Sequence, residues 1–308
     1  MQIYDVCLMS DWHYDRDLLV QLESRLQRRS HTTYLIWPEN LEEVLGLLRA
    51  GTLGFRYIVD RATNTSAEFS DVYRFLPAPG ATCFEDPDTL LRASDKALMH
   101  REFQSAGIPV PHTLIIQPHA ESEEIRIDRE AVQDLGPPFV IKPANTTGGG
   151  MGVFQDGRGL EDILHRRREY PSDKYLVQER ILPKVTEARR FWFRVLYVTG
   201  DVHCCWWDDR THVYEIFGKG ETEEALQGRF VDIARQIARI SALQLFSVEL
   251  ALDHRERIIV VDYVNESPDL RRKSQFIDGV PDPVVERVIE NLEEWIHRGL
   301  GDQRPAAS

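Results

Sequence analysis

One stretch of the chain joins a lysine to a run of glycines, a pattern suited to holding phosphate. The segment VIKPANTTGGGMGV spans residues 140–153, and Lys142 precedes Gly148, Gly149, Gly150 and Gly152. Glycines have no side chain, so their backbone N–H groups can close over phosphate oxygens. Lys142 would add a fixed positive charge. The alternative is a flexible hairpin tip that binds nothing.

A second group of polar residues lies in the carboxy-terminal third. Glu249 and Asp262 stand in two apolar segments, LFSVELAL and IIVVDYVN, which a charged turn joins. In an antiparallel pair such positions can lie opposite each other, and Asn265 follows near the end of the second segment. Two carboxylates and an amide oxygen suit Mg²⁺. A solvated surface is the usual alternative for an acid, but unpaired charge inside an apolar strand is costly.

Apolar spacing predicts the elements that would position these groups. In the first third, QIYDVCLM, TTYLIW and FRYIVD are predicted strands, and residues 15–29 and 39–50 are predicted helices. This alternation with short loops implies a small parallel sheet covered by helices. A further helix is predicted over residues 95–106, where Gly107 and the prolines after it stop it.

The glycine run lies between two predicted strands, FVIK and GVFQD. It is therefore predicted as a hairpin loop. The Walker and Rossmann phosphate loops both lead from a strand into a helix, and neither spacing occurs here. Two more hairpins are predicted, one in RFWFRVLYVTGDV and one joining the two acid-bearing segments.

Composition narrows the class of protein. The 308 residues carry a formal net charge of −13, which argues against nucleic acid or a membrane surface as the partner. This length predicts two or three packed subdomains. Cys7, Cys83, Cys204 and Cys205 form neither a disulfide framework nor a zinc site. With no membrane-length apolar run and no signal peptide, a cytoplasmic location is expected.

Five segments in order resemble the ATP-grasp enzymes, among them ribosomal-protein glutamate ligases and D-alanine–D-alanine ligases. They are SDKALMHREFQSAGIPVPHT, FVIKPANTTGGGMGV, YLVQERI, RFWFRVLYVTGDV and SVELALDHRERIIVVDYVNESPDL. The resemblance covers residues 2–275. It implies an α/β fold in which an amino-terminal parallel α/β domain precedes two α+β subdomains that clasp ATP.

The resemblance and the strand pattern together predict the domain boundaries. Residues 1–87 would form the amino-terminal (pre-ATP-grasp) domain. Residues 88–183 would form the linker helix and the central glycine-loop subdomain. Residues 184–300 would form the carboxy-terminal subdomain with the metal site, and residues 301–308 a frayed tail.

The resemblance also implies a set of ATP-binding residues: Lys96, Lys142, Gly148, Gly149, Gly150, Gly152, Gln178, Ile181 and Glu187. The two lysines would contact phosphates and the glycines would cover them. Gln178 and the backbone of Ile181 would meet the adenine, and Glu187 would bind the ribose. The segment PKVTEARR around Glu187 can be aligned in several ways.

Arg194 and Lys142 would be the catalytic residues, with Arg194 facing the reacting phosphate. Glu249, Asp262 and Asn265 match ligands of Mg²⁺ or Mn²⁺. The chain departs from the family here, because Asp-Tyr-Val-Asn replaces the usual acid-x-Asn. In a regular strand Asp262 and Asn265 would face opposite sides, so a bulge or the strand end must bring them together. Without metal the carboxylates would repel each other, and one pKa should rise.

A competing interpretation makes Asp262 a structural acid paired with Arg271 or Arg272. Those arginines belong to the segment ESPDLRRKS, where Arg271, Arg272 and Ser274 are candidate substrate residues. An arginine can hold a carboxylate or phosphate with two hydrogen bonds. A solvated basic turn is the alternative. His13, in the loop after the first strand, is a further substrate candidate, and an ordinary surface histidine is the alternative that the residue type favours.

Three functions compete. The leading one is an ADP-forming ligase that joins a small-molecule or peptide carboxylate to an amine, or to a thiol, with ATP and Mg²⁺. The second is a kinase for a small molecule, although the acidic charge balance counts against a polyphosphate substrate. The third is a non-catalytic ATP-binding regulator, which would not need the metal ligands. The sequence is also compatible with a homodimer and does not decide the oligomeric state.

Overall fold

The computed structural model describes residues 1–77, 80–125, 127–145, 150–187, 189–218 and 220–302, without the side chains of residues 221, 222 and 302. Gly148 and Gly149, from the predicted phosphate loop, lie outside the described residues. Gly150 and Gly152 have positive φ angles of 74° and 70°. This left-handed backbone conformation favours glycine.

The amino-terminal sheet is parallel, as predicted. It consists of β1 (Gln2–Ser10), β2 (Thr33–Ile36), β3 (Leu53–Arg61) and β4 (Thr82–Cys83), in the order β2-β1-β3-β4. Each pairing is parallel. The accompanying helices are α1 (Arg16–Arg28), α2 (Leu41–Arg49) and α3 (Ser70–Arg74). The predicted helical faces are buried at Leu18, Leu19, Leu22, Leu26, Leu41, Val44, Leu45 and Leu48.

The middle of the chain begins with two helices, α4 (Pro87–Ser94) and α5 (Lys96–Ser105). An antiparallel sheet follows, made of β5 (Thr113–Ile116), β6 (Phe139–Pro143), β7 (Phe154–Gly157) and β8 (Tyr175–Gln178), in the order β5-β8-β6-β7. It carries α6 (Arg129–Asp134) and α7 (Leu160–Arg166). Strands β6 and β7 pair as the predicted antiparallel hairpin around the glycine run.

The carboxy-terminal sheet has the order β11-β10-β9-β12-β13. Its strands are β9 (Trp192–Val198), β10 (Asp201–Trp207), β11 (Tyr214–Ile216), β12 (Leu245–Leu252) and β13 (Ile258–Asn265), all in antiparallel pairs. Two long helices complete it, α8 (Glu221–Ser241) and α9 (Asp282–Asp302). Helix α9 therefore extends two residues into the segment expected to be a frayed tail.

The two faces of this sheet contribute to different hydrophobic cores. Phe193 and Phe246 pack with Phe230 of α8 and Phe103 of α5. The opposite face packs against α1, α9 and the amino-terminal sheet, through side chains that include Trp192, Leu196, Leu245, Leu22 and Leu292. Because side chains alternate along a strand, one sheet can join the other two parts of the chain. No helix among the described residues is long and apolar enough to cross a membrane.

A buried ion pair joins the amino-terminal domain to the loop after β13. The guanidinium of Arg61 donates to both carboxylate oxygens of Asp15, at 2.8 and 3.0 Å, and to the carbonyl oxygen of Pro268 at 2.9 Å. Ser10 Oγ donates to the same carboxylate at 2.9 Å. These hydrogen bonds offset part of the cost of burying the pair.

Glu85 forms a second link, between the amino-terminal domain and the start of β12. Its carboxylate lies between β4 and α4 and accepts the backbone N–H groups of Gln244 and Leu245, at 2.8 and 2.7 Å. The side chain is buried, and this burial raises the pKa of Glu85 to about 8, although the two N–H groups oppose the rise.

This raised pKa predicts a pH-dependent stability. The folded protein holds the Glu85 proton up to a pH of about 8, whereas the unfolded chain releases it near 4.5. The Glu85 contribution to the unfolding free energy should therefore be complete below pH 4.5 and be lost as pH rises towards 8. Glu85→Gln keeps an acceptor oxygen and removes the charge. It should exceed the wild type in stability by about 1–3 kcal/mol at pH 8.5 and show little advantage at pH 5.

Urea unfolding at the two pH values measures this difference, with Glu68→Gln at an exposed acid as the control. A Glu85→Gln effect of the same size at both pH values would show that Glu85 does not change its protonation over this range.

Candidate functional site

The pairing of β12 with β13 places the predicted metal ligands on one face. Glu249 lies opposite Asp262, and Ser247 lies opposite Asn265. Two residue steps along β12 therefore match three along β13, which is the signature of a β-bulge. A second irregularity follows on the other side of Asp262. Since Ser247 and Glu249 share a face, Asp262 and Asn265 do too, and the bulge that the sequence requires is present.

Arg194 extends this row of polar side chains onto β9, where it pairs with Glu249 in register. Its NH2 atom is 3.5 Å from Glu249 Oε1. The Asn265 amide oxygen accepts from the same NH2 atom at 3.2 Å, in the amide orientation that also lets its nitrogen donate to the Ser267 carbonyl. Trp192 Nε1 donates to the other Glu249 oxygen at 3.2 Å.

The predicted phosphate lysines approach this row from the rest of the chain. Lys142 Nζ donates to the Val261 carbonyl at 3.2 Å and lies 3.7 Å from Asp262 Oδ1. Lys96 begins α5, and its backbone N–H donates to the Ala144 carbonyl at 3.1 Å. This bond holds the start of the helix beside the end of β6, so both buried lysines lie in one region.

The partner of Asp262 is therefore Lys142. The competing interpretation, a structural pair with Arg271 or Arg272, does not describe this structure. Arg271 pairs with Asp269, and Arg272 pairs with other carboxylates on α1 and α9.

The charges in this region shift one another's pKa values in opposite directions. Burial raises the pKa of Glu249, and the nearby Asp262 charge raises it further. Burial would also raise the pKa of Asp262, but Lys96, Lys142 and Arg194 together hold it below its usual value. Burial lowers the pKa of Lys142, with the charge of Lys96 adding to the effect. The rise expected for one carboxylate thus falls on Glu249.

These residues fit a divalent cation and a phosphate group. Glu249, Asp262 and Asn265 offer only oxygen ligands, which Mg²⁺ prefers. Arg194 Nε and Ser247 Oγ lie in the same row and are buried without a hydrogen-bond partner among the described residues. Buried polar atoms of this kind are rare unless a ligand or water completes them. Among the described residues, no three His, Cys, Asp or Glu side chains lie close enough together to hold a metal ion. A site here would therefore need the Asn265 amide as its third ligand.

The other predicted ATP residues lie along the exit from β8. Gln178 ends that strand, and its buried amide nitrogen donates to Tyr263 Oη at 2.5 Å and to Thr113 Oγ1 at 2.9 Å. Ile181 is half-buried against the core shared with the amino-terminal domain. Glu187 is exposed in a short turn, so its role as a ribose ligand stays a sequence-based prediction.

Two of the predicted substrate residues meet where the loop after β13 contacts the loop after β1. Arg271 lies 2.6 Å from the Asp269 carboxylate and 2.9 Å from that of Asp278. Its guanidinium carbon is 5.1 Å from the ring centre of Tyr14. His13 is exposed and lies beside the same tyrosine, with ring centres 3.8 Å apart. The structure thus brings these two candidates together.

The other two predicted substrate residues already have partners within the chain. Arg272 is 2.9 Å from the Asp17 carboxylate and 3.1 Å from that of Glu286. Ser274 Oγ donates to Asp282 Oδ2 at 2.6 Å, next to the start of α9. These contacts hold the loop after β13 against α1 and α9.

Sequence reasoning missed Trp192 and Glu266. Trp192 lies two residues before Arg194, on the same face of β9, and this spacing was the available signal. Glu266 follows Asn265 directly and is buried, and the Asn64 side chain from the amino-terminal domain lowers its pKa. Burial raises the pKa of Glu266, and the charge of Asp262 adds to the rise.

Comparison with solved structures identifies the architecture. A D-alanine–D-alanine ligase from Bacillus anthracis, complexed with ATP, matches with a TM-score of 0.66 at 12% identity, over 98% of this chain and 100% of the other. This chain has the ATP-grasp fold. A RimK-domain ATP-grasp protein from Sphaerobacter thermophilus matches with a TM-score of 0.60 at 20% identity, over 93% and 98% of the two chains.

A third ATP-grasp neighbour was solved with a peptide. The macrocyclase MdnC from Microcystis aeruginosa, bound to the precursor peptide MdnA, matches with a TM-score of 0.60 at 10% identity, over 94% of this chain and 99% of the other. No protein-family model and no curated protein sequence matches the chain. The fold implied by the five ordered segments is confirmed.

The charge arrangement predicts different stabilities for two substitutions. Asp262→Asn leaves Lys142 buried without its anion and should lower the unfolding free energy by about 1–3 kcal/mol in the absence of metal. Glu249→Gln removes a charge that burial and Asp262 already disfavour. It should therefore lower the unfolding free energy by less than Asp262→Asn does. Urea unfolding at pH 7.5 in the presence of a chelator compares the two variants. A larger loss for Glu249→Gln would show that Asp262 is not the anion that balances Lys142.

Proposed function

We propose that the chain is an ATP-dependent, ADP-forming ligase that activates a carboxylate as an acyl phosphate and joins it to an amine. The observation that carries the proposal is the meeting of Lys96 and Lys142 with the row formed by Arg194, Glu249 and Asp262. Cations and paired acids at one place, on a fold whose solved neighbours include ligases, support transfer of a phosphoryl group.

Each side chain has a role in this reaction. Lys96 and Lys142 would bind phosphate oxygens. Arg194 would stabilise the negative charge that develops on the phosphoryl group as it passes to the substrate carboxylate. Glu249, Asp262 and Asn265 would hold Mg²⁺, which when bound neutralises phosphate charge and orients it. The amine then attacks the activated carbonyl carbon, and phosphate leaves.

The contact between Lys142 and Asp262 suggests how ATP and metal binding support each other. The ammonium of Lys142 lies 3.7 Å from Asp262 Oδ1 and balances the charge of that carboxylate. A cation held by Asp262 would take over that balance. Lys142 Nζ would then be free to bind a phosphate oxygen, so metal and nucleotide would bind better together than separately.

The substrate is proposed to lie between the loops that follow β1 and β13. The Arg61 contact with the Pro268 carbonyl holds these loops together, and Arg271 and His13 lie at their junction. Solved ATP-grasp neighbours include a D-alanine–D-alanine ligase and a macrocyclase bound to a precursor peptide. A small-molecule or peptide carboxylate, with an amine acceptor, is the corresponding class here.

The basic segment Arg271–Lys273 gives little support to a kinase for polyphosphates. Arg271 faces Asp269 and Asp278, and Lys273 Nζ donates to the Tyr214 carbonyl. Arg272 is likewise held by carboxylates. To bind these three cations, a polyphosphate would have to displace the carboxylates and the carbonyl oxygen that they already contact.

An assay of ADP release over a panel of amino acids and dipeptides, with ATP and Mg²⁺, tests the proposal. Release that depends on an added amine, with a new amide detected by mass spectrometry, is the expected result. A phosphorylated product would establish a kinase instead. Tight MgATP binding with no turnover on any panel member, including mixtures, would favour a regulator.

Lys142 provides a direct test of nucleotide binding. Lys142→Ala should weaken MgATP binding roughly 10- to 100-fold, because a hydrogen bond to a charged phosphate is lost. Lys142→Arg should recover only part of the affinity, since a planar guanidinium does not replace a compact ammonium. Calorimetry measures both, with Lys184→Ala, which removes a surface pair with Glu256, as the control. An affinity within twofold of the wild type would exclude Lys142 from the nucleotide site.

A further inference from the structure

The bulge in β13 turns one aromatic residue into the core. Tyr263 stands between Asp262 and Asn265, within the segment that is one residue longer than the usual acid-x-Asn spacing. Tyr263 and Val264 both belong to the core shared with α5 and α8, although neighbours in a regular strand face opposite sides. The tyrosine is fully buried at 0% exposure. Its hydroxyl must therefore find partners inside the protein.

Those partners lie on the elements that carry the proposed ATP residues. Tyr263 Oη accepts from the Gln178 amide nitrogen at 2.5 Å and lies 2.7 Å from His100 Nδ1. His100 is one helical turn beyond Lys96 on α5. Lys142 Nζ stands 5.3 Å from the centre of the tyrosine ring. One side chain thus contacts α5, β6 and β8 from the strand that bears Asp262.

One assignment of donors gives each of these groups a partner. Burial lowers the pKa of His100 to about 4, so its ring is neutral at physiological pH, and in the tautomer that carries its proton on Nε2, Nδ1 accepts the tyrosine proton. The tyrosine oxygen then accepts from Gln178. The Thr113 hydroxyl donates to the Pro111 carbonyl at 2.8 Å, so its oxygen is free to accept from the same amide nitrogen.

Both hydrogens of the Gln178 amide are therefore donated inside the protein. Of the polar atoms of this buried amide, only the carbonyl oxygen is left for a ligand. A carbonyl oxygen can accept a hydrogen bond and cannot donate one. Adenine carries an amino donor at position 6, where guanine and hypoxanthine carry an oxygen acceptor.

We propose that Tyr263 is a positioning residue for base specificity: it fixes the Gln178 amide so that only its oxygen can meet the base, which selects a 6-aminopurine over a 6-oxopurine. This inference rests on the proposed function, in that the nucleotide base must lie beside Gln178. A site that uses a fixed acceptor rejects an analogue that presents a second acceptor, because both are left unpaired.

Dissociation constants for MgATP and MgITP test the proposal. The two nucleotides differ at position 6, where ITP has an oxygen. The wild type should prefer ATP by tenfold or more. Tyr263→Phe frees one amide hydrogen, so the amide can rotate, and the ratio of the two constants should fall roughly three- to tenfold. If the tyrosine only fills the core, Tyr263→Phe would weaken the binding of both nucleotides equally or change only the melting temperature.

Two further variants sharpen the test. Gln178→Glu offers acceptors whichever way it is turned, so Tyr263→Phe combined with Gln178→Glu should recover the preference for ATP. Tyr175→Phe removes another buried tyrosine hydroxyl, on β8, which accepts the Tyr170 N–H at 3.2 Å. This variant should leave the ratio unchanged.

A ratio in Tyr263→Phe equal to that of the wild type would overturn the inference and leave the proposed ligase function intact. A wild type that binds neither nucleotide would overturn the proposed function itself.

Discussion

The alternation of side chains along β13 is the constraint on which the candidate site depends. Asp262 and Asn265 are three residues apart and would face opposite sides of a regular strand. The bulge removes this conflict by matching three residue steps on β13 to two on β12. It places two carboxylates and an amide beside Arg194, and it turns Tyr263 into the opposite core. The arrangement of the proposed metal ligands and the contact to Gln178 are consequences of one local irregularity.

Buried charge imposes the second condition. A carboxylate removed from water needs a cation or strong donors near it. Asp262 has Lys142, and Glu249 has Arg194 and the Trp192 indole. Each of the two carboxylates therefore has a cation or donor of this chain beside it. A metal ion at the proposed site would compete with Lys142 for Asp262.

Much of this could be predicted from the sequence because the signals are local. Strand alternation gave the parallel amino-terminal sheet, and turn residues gave the hairpins that carry Glu249 and Asp262. The need for a bulge followed from the spacing of Asp262 and Asn265 alone. The partners of the basic segment could not be predicted in this way. Arg272 pairs with Asp17, which is 255 residues away, and only the packing of α1 against the loop after β13 brings them together.

The helices show a different limit. Helix α9 was not predicted, although its buried positions, which include Val285, Ile289, Leu292 and Ile296, recur at helical spacing. Its role could not be predicted, because α9 returns the end of the chain to the amino-terminal sheet. The same limit applies to Tyr263. Its position between Asp262 and Asn265 was visible in the sequence, but the partners of its hydroxyl lie on α5 and β8 and depend on the packing of these elements against β13.

The loop after β13 connects the two halves of the proposed reaction. Asn265, the last residue of β13, is a proposed metal ligand, and Pro268, three residues later, accepts a hydrogen bond from Arg61 of the amino-terminal domain. Glu266, between them, is buried, and the Asn64 side chain lowers its pKa. A short, doubly anchored segment cannot move far at one end without moving at the other. In the proposed reaction, a shift of this loop when the substrate binds would therefore also move the proposed metal ligand Asn265.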